Sequence, residues 1–320
     1  MLQYRPFNLA HPRLRSLGVR DGGGWRKCAT PVVNRSQDQV IEANGLNFHY
    51  REWGDVRTKH ALVLLHDYAQ TASAWDEVAA DLSREYRVIA LDQRGYGKTD
   101  RVPDHDYSRA SQVADLEAIV ELLGLRTVTL IGHGMGGANA ICFAAEHPDM
   151  VTALIAIEVA PEVLRSGVET MRRVVATGDE FAAMSDLVEV FHRYYPYATT
   201  EQLERRARAS LAPTDDGGFA WAFDAIFRDA TARPPEADPG QRRLQNLWDS
   251  VEHVQCPVMI VTGSETDMIT PEAVQRLHRR ILGSRRSLIE EAGHSVPTDQ
   301  PSALSQHIRE FLQSLSISPL

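Results

Sequence analysis

No stretch of this chain approaches the roughly 20 consecutive apolar residues that a membrane helix requires, so no membrane partner is expected. Cysteine is almost as scarce. Cys28, Cys142 and Cys256 lie far apart and form no C-x-x-C pair. That spacing excludes a disulfide framework and a thiolate metal site, and it suits a reducing, cytoplasmic setting. Basic residues are in deficit, with 34 Lys and Arg against 43 Asp and Glu and a net charge of −9. No basic surface then dominates the protein, and nucleic acid is not expected as its partner.

The charge that is present is unevenly placed. Residues 1–36 carry seven basic side chains and one acid, Asp21, so this arm is +6 and the remainder is −15. The arm lacks a continuous apolar segment and is therefore not a secretory signal. It reads as a poorly ordered N-terminal extension, with an Arg-rich organelle transit peptide as the other reading.

At 320 residues, with 43% hydrophobic and 24% charged, the chain suits one domain carrying an insertion. Val40 to Trp53 alternates around Asn44-Gly45, the strongest short hairpin signal. Ala61–Leu65, Arg87–Leu91, Val128–Ile131, Ala153–Ile157, Val258–Thr262 and Arg286–Glu290 are short apolar or β-branched runs that read as strands, most of them buried. Between them lie helical spacings over 72–85, 111–123, 138–146, 271–282 and 301–315. Strands alternating with helices predict an α/β fold, a mainly parallel central sheet with helices on both faces. The alternation stops from 159 to 253, which reads as a helical insertion with a Pro234-Pro235 break. The expected organisation is a core of 37–158 and 254–320, capped by 159–253.

The run Thr127 to Ala140, TVTLIGHGMGGANA, organises the rest. A strand enters a glycine-crowded turn and leaves as a helix, as in the nucleophile elbow G-x-S-x-G, whose apex residue stands alone above the sheet. Here the apex is Gly134. Four features fall in one order: Leu65-His66 ending an early strand, Asp92-x-Arg94-Gly95-x-Gly97, the Gly132–Gly137 elbow, and a late Asp/His pair. In that order the chain from about Val40 to Leu315 resembles a capped α/β-hydrolase of the serine branch.

The resemblance implies site residues. His294, in Ala292-Gly293-His294, falls where the family's base sits, and Asp267 matches its orienting acid, with Glu158 as a substitute. The oxyanion hole would use backbone N–H groups of Met135 and of Tyr68 in the loop after His66. Where the family has His-Gly, this chain has His66-Asp67, a carboxylate beside the hole. His133, Asp67 and the aromatic Tyr194 are candidate substrate contacts, whereas Asp92 and Arg94 read as loop-holding residues. No metal or cofactor is implied.

Glycine at the apex removes the attacking oxygen, so no acyl-enzyme forms there. One reading keeps an enzyme in which His294 and Asp267 act as a general base toward water or an acidic substrate proton. Another is a pocket that binds a small ligand without chemistry. A serine replaced to trap substrate, and an Asp nucleophile lost from a dehalogenase-like or epoxide-hydrolase-like ancestor, complete the alternatives. The expectation is serine-free chemistry on a small, largely apolar molecule under the cap.

Overall fold

The computed structural model describes residues 36–58, 60–228 and 247–317. The basic arm through residue 35, Cys28 and the Pro234-Pro235 break lie outside them. Among the described residues no helix is long and apolar enough to cross a membrane.

The hairpin forms as expected. β1 (Gln37–Ala43) and β2 (Leu46–Trp53) pair antiparallel, with Asn44 and Gly45 at φ 49° and 76° in the turn. Positive φ at both central residues matches the twist of the flanking strands, which is why Asn-Gly occupies such turns. Six further strands complete the main sheet: β3 (His60–Leu65), β4 (Val88–Leu91), β5 (Thr127–His133), β6 (Val151–Ile157), β10 (Val258–Gly263) and β11 (Arg285–Ile289). Their order is β1-β2-β4-β3-β5-β6-β10-β11, antiparallel from β1 to β4 and parallel beyond.

Alternation along β3 shows how the layers are held. Ala61, Val63 and Leu65 pack in one apolar layer with α2 (Arg109–Leu122) and α3 (Gly134–Glu146). Leu62 and Leu64 point the other way, into a layer with α1 (Asp76–Leu82) and the C-terminal helix Pro301–Ser314. Successive side chains of a strand face opposite sides, so a run with no polar residue requires cover on both. Each such buried Leu or Val contributes about 1.5–3 kcal/mol relative to exposure.

Two expectations are corrected. The segment 72–85 begins as a 3-10 turn, Ala72–Trp75, capped by the Thr71 hydroxyl, and the α-helix proper ends at Leu82. The insertion is also not wholly helical. It holds α4 (Arg165–Val175), α5 (Met184–Tyr194) and α6 (Thr200–Ser210), and also a small sheet of β7 (Glu180–Phe181), β8 (Leu211–Pro213) and β9 (Phe219–Trp221), ordered β7-β9-β8. β8 and β9 are joined through Asp216-Gly217, with Gly217 at φ 88°. Two- and three-residue strands are too short to show a period in the sequence. The helices α7 (Pro271–Arg280), α8 (Val296–Asp299) and α9 (Pro301–Ser314) close the core.

Candidate active site

The elbow is built as the sequence implies. β5 runs into α3 through Gly134, whose φ of 50° is the left-handed apex conformation. A Cβ at Gly132 would meet the carbonyl oxygen of Gly136 at 2.5 Å, so the strand and helix can pass here only without side chains. The surroundings of the apex are what the sequence does not reveal. A Cβ at Gly134 would overlap the carboxylate of Asp67, which occupies the space a nucleophilic side chain would take.

Asp67 is buried and held from two sides. Its Oδ1 accepts a hydrogen bond from the Met135 amide at 2.6 Å, and its Oδ2 lies 2.8 Å from Nε2 of His294. The Met135 N–H expected in the oxyanion hole is thus already engaged by a side chain of the same protein. Tyr68 lies beside it in the cleft and donates its hydroxyl to the Phe227 carbonyl at 2.8 Å.

His294 follows β11 and turns its second nitrogen toward the end of β6. Nδ1 lies 3.0 Å from Oε2 of Glu158. Glu158 is fixed in turn, its Oε1 accepting from the Gly263 amide at 2.8 Å and its Oε2 from the Thr266 hydroxyl at 2.6 Å. The partner of His294 is therefore Glu158 and not Asp267. Asp267 instead lines the cleft, and its Oδ1 is buried without a hydrogen-bond partner among the described residues.

Carboxylates only accept hydrogen bonds, so a histidine between two of them carries protons on both nitrogens. The electrostatics agree. Burial pulls the His294 pKa down, but the hydrogen bonds and charges of Asp67 and Glu158 outweigh it and hold the imidazole up to about 10. Burial likewise works against ionisation of Asp67, but the hydrogen bond and charge of His294 and the Met135 amide hold its carboxyl well below the usual range. The resting site is an imidazolium clamped between two carboxylates.

His133 has a supporting place and does not line the cleft. It is fully buried, donates from Nε2 to the His294 carbonyl oxygen at 2.8 Å, and sits 3.2 Å through Nδ1 from the Gln70 side chain. Burial depresses its pKa to about 4, which keeps it neutral and leaves His294 with the charge. Asp67, His133 and His294 offer three ligand atoms within 4.8 Å of one another and could hold a metal ion. A cation would fit there only after His294 lost its Nε2 proton and its bond to Asp67 opened, so the donor set as it stands does not fit one.

Above this floor lies a small cleft of about 50 Å³ between the core and the insertion. Val174, Phe191, Tyr195 and Trp221 supply apolar walls, while Asp67, Asp267 and His294 face the same space. Tyr194 does not line it; along α5 and the loop after it, Phe191 and Tyr195 take the cleft-facing positions. Arg206 of α6 forms a buried bidentate pair with Asp299, at 2.9 and 2.6 Å, and packs over the Tyr195 ring. Asp299 also accepts from the Gly293 amide at 2.9 Å, next to His294. The insertion thereby grips the loop that carries His294. Asp92 and Arg94 stay outside the cleft, Asp92 accepting from His49, Ala72 and Lys98 and Arg94 pairing with Asp115.

Glu158, expected only as a substitute acid, has its signal in its position at the carboxyl end of β6, where open parallel sheets gather functional groups. Asp67 announced itself only as an anomaly beside an apex without a side chain.

Comparison with known proteins gives the family. A family model described as the alpha/beta hydrolase fold matches residues 60–301. The chain is 40% identical over 293 residues to human epoxide hydrolase 4, covering 85% of this chain and 77% of that protein. It is 28% identical over 293 residues to the esterase Rv0045c of Mycobacterium tuberculosis, covering 89% and 90% of the two chains. The crystal structure of E-2-(acetamidomethylene)succinate hydrolase superposes with a TM-score of 0.74 at 22% identity, over 87% of this chain and all of that one, which is a likeness of fold. Sheet order, elbow and family match converge on one assignment: the chain belongs to the α/β-hydrolase fold family.

Proposed function

We propose that the protein is a hydrolase of small, largely apolar molecules that bind in the cleft beneath the insertion, which serves as a cap. Its chemistry proceeds without a serine acyl-enzyme, and His294 is the proton-transfer group. The orienting carboxylate is Glu158, in place of the expected Asp267. The observation that supports this reading is the charged chain Asp67–His294–Glu158, with bonds of 2.8 and 3.0 Å, at the floor of a cleft with apolar walls. Burying three ionised groups is costly unless each is paired, and perturbed charges of this kind concentrate at functional sites. Similarity to a named epoxide hydrolase and a named esterase points to the same general reaction class, addition of water to a small electrophile.

One observation favours a second reading. Every polar atom of Asp67 and both ring nitrogens of His294 already have partners within the protein, so the floor is satisfied without a ligand. A pocket that binds but does not convert its ligand is consistent with that. Purified wild-type protein and His294→Ala, incubated side by side with metabolite extracts and read by mass spectrometry, separate the two. Conversion that depends on His294 supports the hydrolase. Ligands retained unchanged by both proteins would replace it with the binder.

A further inference from the structure

We infer that Asp67 is the nucleophile of this site, moved from the elbow to the loop after β3, and that its substrates carry an electrophilic saturated carbon in a strained three-membered cyclic ether. The inference rests on the hydrolase reading and specifies its attacking atom and substrate class.

Two features of the chain that look like separate losses are one exchange. The apex has no side chain, and the loop beside it has an acid where a glycine is expected. The acid fills the space above the apex so closely that a Cβ at position 134 would overlap it. The site therefore has an oxygen nucleophile at the elbow, delivered from a neighbouring loop. It lines the cleft and lies 2.8 Å from Nε2 of His294, the relation a serine oxygen would need.

The surroundings of that carboxylate choose the substrate. A carbonyl substrate needs the Met135 N–H for its developing oxyanion, but Asp67 Oδ1 holds that donor at 2.6 Å. Attack at a saturated carbon makes no such demand. Its requirement is an acid for the departing oxygen, and His294 presents an Nε2 proton beside the attacking carboxylate.

The steps balance. Oδ2 of Asp67 attacks a ring carbon, the carbon–oxygen bond of the ring breaks, and the Nε2 proton of His294 passes to the departing alkoxide. Asp67 is now a neutral ester and His294 a neutral imidazole, relieved of one of the two charges that held its proton. It has become the base. Water then attacks the ester carbonyl carbon as His294 takes one of its protons. The oxyanion forms on Oδ1, where the Met135 N–H already points. Collapse breaks the acyl carbon–oxygen bond and releases the alkoxide, which takes the remaining proton of the added water. Asp67 carboxylate and His294 imidazolium are regenerated, and the product is a vicinal diol.

The experiment uses full-length protein with styrene oxide in water enriched in oxygen-18, and phenyl acetate as the ester control. The Asp67 peptide, the tryptic fragment His60–Arg84, is sequenced by mass spectrometry. After a single turnover the heavy oxygen is expected on Asp67 and not in the diol. His294→Gln, which removes both the acid of the first step and the base of the second, is expected to form neither diol nor labelled Asp67, and Asp67→Asn to lose on the order of a thousandfold in kcat/KM with its melting curve as a check on folding. Diol formed with label in the product and none on Asp67 would overturn the assignment while leaving a hydrolase. Phenyl acetate consumed with styrene oxide untouched would overturn the nucleophile and the substrate class together. Conversion of neither probe would overturn both this inference and the hydrolase reading.

Discussion

The amide of Met135 donates to Oδ1 of Asp67 at 2.6 Å, so a donor suited to stabilising a substrate oxyanion is spent on an internal carboxylate. Restoring the elbow serine therefore restores too little. Gly134→Ser places a side chain on the Asp67 carboxylate and at a φ of 50°. Overpacking and strain of this kind cost about 1–3 kcal/mol each. The single variant is expected to melt lower than the wild type and to leave p-nitrophenyl acetate uncleaved. The double variant Asp67→Gly/Gly134→Ser frees both the space and the donor and is expected to cleave the ester. Esterase activity in Gly134→Ser alone would mean that Asp67 can leave the elbow.

Glu158 and Asp267 are separated by a pair of asparagine and glutamine substitutions. Glu158→Gln removes a charge that holds the His294 proton and is expected to lower activity at least tenfold. Asp267→Asn leaves the His294 contacts intact and is expected to alter KM more than kcat. Steady-state kinetics on the first substrate identified checks both, and equal loss of kcat in the two variants would contradict the pairing.

Arg206 and Asp299 form a buried pair that joins α6 to the His294 loop. Removing one partner of such a pair leaves an unpaired buried charge and costs about 3–5 kcal/mol. Arg206→Met is expected to lose that much in denaturant unfolding, and to loosen hydrogen exchange around Gly293 and His294. The replacement of both residues together, Arg206→Met with Asp299→Leu, is expected to recover part of the stability.

Stability should peak near pH 6.5, by the following signs. The His294 pKa is raised on folding to about 10, so its contribution is complete below about 6.5 and is lost as pH rises toward 10. The His133 pKa is depressed to about 4, so the stability tied to its neutral form is present above about 6.5 and is lost as pH falls toward 4. Asp67, lowered on folding, adds to the acid limb below the ordinary carboxylate range. Melting temperature against pH measures both limbs, and His294→Gln is expected to flatten the alkaline one.

How much of this was legible in the chain follows from particular residues. Asn44-Gly45, the β3 run and the glycine-flanked elbow were readable because each has a local cause: a positive-φ pair, two covered faces, a close backbone crossing. The choice of acid had no local cause. Glu158 and Asp267 follow β6 and β10, which are neighbours in the sheet, so chain order admits either. The decision is made by Glu158 taking φ 49° and being pinned by Gly263 and Thr266, contacts between residues more than 100 apart in sequence. The fit of Asp67 above Gly134 likewise joins positions on two different strands' loops. The small sheet in the insertion rests on strands of two and three residues, below what a periodic pattern can register.

The charge state of His294 is the most direct test of the whole arrangement. Nitrogen-15 NMR of histidine-labelled protein, with His294→Gln to assign the signal, would follow both ring nitrogens from pH 5 to 10.5. Protons on both nitrogens at pH 7.5, with titration only as pH approaches about 10, are the expected result. An imidazole that titrates near 6.5 would contradict the clamp between Asp67 and Glu158, and with it the chemistry drawn from that clamp.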